Sequence, residues 1–62
     1  MYRLTVKESK QEFTEQVFRD EHRQQAIDEF IRHVKDHLQK EKKIHIWLLG
    51  GTDNIVVEFK IN

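Results

Sequence analysis

His33 and His37 stand four residues apart, in a stretch whose apolar residues recur with helical spacing. At that separation two imidazoles on one helix face can share a metal ion. Glu29 precedes them on the same ridge and Glu41 follows. The HExxH signature is absent, because Val34-Lys35-Asp36 fill the gap. Counting about 100° per residue puts His37 at the edge of the apolar stripe and His33 well outside it. The pair therefore reads as two polar flank residues on a charged helix, with Glu29 beside His33. No metal and no cofactor is expected. A second constellation is His45 and Glu58, which face each other across a predicted hairpin. A base oriented by a carboxylate has this form. So does a cross-strand charge pair, which is far commoner. No nucleophile accompanies it: the chain has no cysteine, and its one serine, Ser9, reads as a turn or cap. Gly50-Gly51-Thr52 lacks the Lys-Ser/Thr and the following helix of a phosphate loop. These readings favour a protein that is not an enzyme.

The elements that would carry these side chains are short. Sixty-two residues make a single domain, spanning 1–62. Domains this small bury only about 60% of their unfolded surface, and disulfides, metals or self-association usually supplement the core. Without cysteine, self-association is the route left open. Eleven basic and eleven acidic residues cancel, which argues against a general polyanion binder. The longest uninterrupted apolar run is Ile46 to Leu49, far short of a membrane span. Residues Met1 to Lys7 lack the apolar region of a signal peptide. A soluble, cytoplasmic protein is expected.

Tyr2, Leu4 and Val6 alternate with Arg3, Thr5 and Lys7, the pattern of a half-buried strand. Ile44–Leu49 and Ile55–Ile61 alternate likewise around Gly50 and Gly51, where a reversal with positive φ is expected. The apolar faces match only with an even number of loop residues. Leu48 then pairs with Ile55, Ile46 with Val57, Trp47 with Val56 and His45 with Glu58. Ala26, Ile27, Phe30, Ile31, Val34 and Leu38 form one helical stripe within about residues 20–42, with Asp20 as N-cap. Asp28–Arg32, Arg32–Asp36 and Asp36–Lys40 are i,i+4 pairs on its outer face. Residues 9–19 admit two readings. Ser9 to Glu12 matches a capping box, but a helix from 10 to 43 would run about 50 Å and overhang strands of about 23 Å. The alternative is a strand over 12–18, with Phe13 and Val17 pointing inward and Glu15 in conflict beside them.

The preferred fold is α+β and two-layered, one amphipathic helix on a three- or four-stranded, largely antiparallel sheet in ββαββ order. The alternative order is β-α-α-β-β. The expected core is Leu4, Val6, Phe13, Val17, Ile27, Phe30, Ile31, Val34, Leu38, Ile44, Ile46, Leu48, Ile55, Val57 and Phe59, closed by Tyr2 and Ile61. One helix covers one side of the sheet. Trp47, Leu49 and Val56 are left on the other, with His45, Arg3, Thr5, Lys7, Glu58 and Lys60 around them. The chain is therefore expected to be a non-enzymatic interaction or regulatory module, homodimeric or partner-binding through this open face. The alternative is nucleic-acid binding through Arg3, Lys7, Trp47 and Lys60, since aromatic and basic side chains on a sheet can hold single strands. No small-molecule substrate is expected, and no motif is specific enough to assign a family.

Overall fold

A computed structural model describes residues 1–8, 13–38 and 43–61. The order is ββαββ. Strand β1 is Tyr2–Glu8, β2 is Thr14–Phe18, β3 is Ile44–Leu49 and β4 is Ile55–Ile61. A 3-10 turn, Asp20–His22, leads into helix α1, Arg23–Leu38. The strands form one antiparallel sheet in the order β2-β1-β3-β4. The helix crosses one face, chiefly over β1 and β3. The predicted α+β two-layer architecture is the one observed. The capping box at residues 9–12 and the helix end at 39–42 lie outside the described residues.

The core follows the strand alternation. Leu4, Val6, Ile44, Ile46 and Leu48 are buried beneath Ala26 and Phe30. Tyr2, Phe18, Ile27, Val34, Val57, Phe59 and Ile61 pack around them. Ala26 is fully buried, and its small side chain lets the helix approach the sheet closely. A single helix touches a narrow sheet along one line, here Ala26, Phe30, Val34 and His37. The apolar stripe of the sequence is wider than that line. Ile31 and Leu38, expected in the core, are therefore exposed on its flank.

The helix start also differs from expectation. Arg19, extended at φ −69° and ψ 157°, occupies the N-cap position without a side-chain cap bond. Asp20 instead sits in the 3-10 turn, where its carboxylate pairs with the Met1 amino group. Arg32 bonds Glu29 at 2.6 Å, one turn back, rather than Asp28 or Asp36. Glu29 is thus taken from His33, and Asp28 accepts from Gln24 at 3.0 Å.

Two corrections concern the strands. The pairings Arg3–Val17 and Thr5–Glu15 put Val17 and Glu15 opposite the outward residues of β1. Residues directly opposite share a face, so β2 turns Thr14, Gln16 and Phe18 toward the helix. Phe13 and Val17 are exposed, not core. The conflict over Glu15 disappears, because it lies on the open side and meets Arg3 at 3.5 Å. In the hairpin, Gly50 N–H donates to the Asn54 carbonyl at 2.8 Å and Asp53 N–H to the Gly50 carbonyl at 2.9 Å. That leaves three loop residues, an odd number. A bulge between Leu48 and Leu49 then restores the parity, since Leu48 pairs with Val57 and Leu49 with Ile55. The extra residue is Val56. Trp47 consequently faces Glu58 and His45 faces Lys60, a two-residue shift that keeps Val57 to Ile61 on their expected faces, while Ile55, expected in the core, moves to the open face and is exposed. Neither glycine has positive φ; the left-handed residue is Asp53, at φ 60°. Aspartate tolerates that region better than most residues.

Candidate functional site

The sheet face opposite the helix is uncovered by any described element. Strand pairing arranges its side chains in rows across the sheet. One row is Val17, Arg3, Leu49 and Ile55. The next is Glu15, Thr5, Trp47 and Glu58. The third is Lys7, His45 and Lys60. Eight of the nine residues expected at this face are therefore brought together: Arg3, Thr5, Lys7, His45, Trp47, Leu49, Glu58 and Lys60. Val56 is the exception. The bulge removes it from the ladder, and Ile55 takes its place opposite Leu49.

The residues around Trp47 are the most tightly organised. The rings of His45 and Trp47, two residues apart on β3, lie 4.4 Å between centroids at 41°. His45 Nε2 is 3.0 Å from Glu58 Oε2. This is the predicted pair, formed across a diagonal rather than between opposed residues. Thr5 is only 3% exposed on a face without a covering helix. Its neighbours in the rows, including Trp47 and Glu15, therefore close over it. The centre of the face is a packed surface with a half-buried indole at its middle. Around it run opposite charges: Arg3, Lys7 and Lys60 against Glu15 and Glu58.

The apolar content exceeds what was read from the sequence. Val17 is 54% exposed and Ile55 59% exposed, both on the row containing Leu49. Glu15 and Val17 were missed because their apolar neighbour Phe13 drew that side of β2 inward. The signal available was charge: Glu15 matches Arg3 across an antiparallel turn, which places both outside the core.

On the helix side, His37 is 9% exposed. Its Nε2 lies 3.5 Å from Glu8 Oε1, and its Nδ1 has no hydrogen-bond partner among the described residues. The sequence had put it only at the stripe's edge. His33 is half-buried, its ring 6.4 Å from that of His37. Among the described residues no three potential ligands converge to hold a metal ion. The helix leaves a shallow groove along β2, lined by Leu4, Val6, Thr14, Gln16, Arg32 and His33. No helix among the described residues is long and apolar enough to cross a membrane. Comparisons with protein-family models, curated proteins and solved structures find no match.

Proposed function

We propose that this chain is a small non-enzymatic interaction module that associates with a second copy of itself through the open face of its sheet. The observation that carries this reading is the row beside Trp47 in which Leu49 and Ile55 adjoin, with Val17 beyond Arg3, on a face that no described element covers. Apolar patches with polar rims mark interaction surfaces. The rim holds both signs of charge, so a two-fold axis can bring Arg3, Lys7 or Lys60 of one copy toward Glu15 or Glu58 of the other. A two-fold interface requires such self-complementarity. The small core adds a thermodynamic reason: a domain this size gains from burying more apolar surface.

Trp47→Glu tests it. A carboxylate at the centre of a desolvated interface removes a hot spot worth roughly 2 kcal/mol or more. The variant should keep its circular dichroism spectrum and halve the particle mass measured by light scattering. An unchanged mass, or a wild type that is monomeric at high concentration, would overturn the reading.

One observation favours a second reading, a small regulator that binds nucleic acid. Lys7 and Lys60 flank His45 in one row next to Trp47. A single-stranded oligonucleotide could stack a base on the indole and lay phosphates along the lysines, with Arg3 at the far side of Trp47. With about three phosphate contacts, affinity should fall about twentyfold between 50 and 200 mM salt. Trp47 fluorescence titrated with an oligonucleotide reads this directly. A flat response to salt rejects it.

A further inference from the structure

The two edges of the sheet are built differently. Strand β2 runs only five residues, three of them polar: Thr14, Glu15 and Gln16. An edge that brief offers another chain few backbone partners. Strand β4 runs seven residues, five of them apolar: Ile55, Val56, Val57, Phe59 and Ile61. It contains no proline, so every residue retains its backbone donor. The helix lies over β1 and β3, and Val57, Phe59 and Ile61 on the helix side of β4 are only half-buried. The core therefore reaches the outer edge of the sheet, where no described element closes it.

We propose that β4 pairs antiparallel with β4 of a second copy about a two-fold axis at Phe59, joining two four-stranded sheets into one of eight strands. The charges of β4 select that register. With Phe59 opposite Phe59, Glu58 of each copy faces Lys60 of the other, and Val57 faces Ile61. Moving the axis to Glu58 opposes two carboxylates, and moving it to Lys60 opposes two ammonium groups. An axis at Val57 brings the bulged Val56 opposite Glu58. Axes between residues would oppose side chains from different faces. Only the Phe59 register pairs both charges and keeps the apolar row continuous on the helix side. Cross-strand pairs of opposite charge stabilise a sheet, and like charges destabilise it.

This surface is distinct from the open face, and the two are compatible. Used together they give four copies, as two eight-stranded sheets packed face to face. The decisive experiment measures mass by light scattering at high concentration in a Trp47→Glu background, where the open face cannot pair. A dimer is expected there. Adding Lys60→Glu should weaken that dimer about tenfold or more, since two attractive pairs become repulsive. Adding Glu58→Lys as well should restore it. A monomer in the Trp47→Glu background, or a dimer indifferent to Lys60→Glu, overturns the edge pairing and leaves the open-face reading untouched. Conversely, a Trp47→Glu mass equal to wild type that falls with Lys60→Glu supports the edge and rejects the open face.

Because Glu58 also contacts His45, cysteine cross-linking provides the second measurement. The chain has no cysteine of its own. Directly opposed antiparallel residues lie about 4.5–5.5 Å apart at Cα, within disulfide range. Glu58→Cys copies mixed with Lys60→Cys copies should therefore cross-link on oxidation, while neither variant alone does so at a comparable rate. Equal rates in mixed and separate samples overturn the register.

Discussion

Phe30→Ala should cost about 3–5 kcal/mol and leave the chain largely unfolded at room temperature. Phe30 is 6% exposed and lies in the helix line that meets β1 and β3. Its ring joins the two layers, and no disulfide holds them if it is lost. In a domain of this size about 1 kcal/mol shifts the melting temperature by about 4–8 °C. A loss of 3–5 kcal/mol is therefore most of the total stability such a domain has. Ile31→Ala, one residue along, is the control. Ile31 is 43% exposed, so its truncation should cost under about 1 kcal/mol. Thermal melts by circular dichroism compare the two. Similar melts for both variants would refute the orientation of the helix.

Ile46→Ala should cost about 2–5 kcal/mol. Ile46 is fully buried at the middle of β3, between Val6 on β1 and Phe59 on β4. Deleting three carbons there leaves a cavity bounded by strands on both sides and the helix above. Strands paired on both edges cannot move in to fill it, which puts the cost in the upper part of the range. Chemical denaturation measures it, and a midpoint unchanged from wild type would contradict the layering.

Strand alternation made much of this legible beforehand. The sidedness of Trp47 could be read because Ile44, Ile46 and Leu48 occupy every second position of β3. That inference survives a two-residue error in register, since a shift of two returns each side chain to its own face. The error arose from local backbone geometry. Asp53 takes the left-handed conformation and shortens the loop to three residues, and the bulge at Val56 compensates. Nothing in the composition of Gly50-Gly51-Thr52-Asp53 distinguishes that solution from an even loop with glycine at positive φ. The exchange of Ile55 for Val56 on the open face follows from it.

Strand β2 was the other ambiguity. Five residues with apolar side chains at both parities do not declare an inner face. Its pairing with β1 decided the matter: Glu15 reaches Arg3, and Phe18 rather than Val17 joins the core. The helix was recognisable from its spacing, but its rotation was not. His37 entered the contact line because Ala26 brings the helix close along that side, and Ile31 was displaced from it.

The element types, the two-layer class and the direction of the indole were thus written into short stretches of chain, because each depends on periodicities of two or about 3.6 residues that need no distant partner. The facing of β2, the hairpin register, the helix rotation and the composition of the open face depended on contacts between segments far apart in sequence. Those contacts are satisfied jointly, so no single segment carries enough information to specify them.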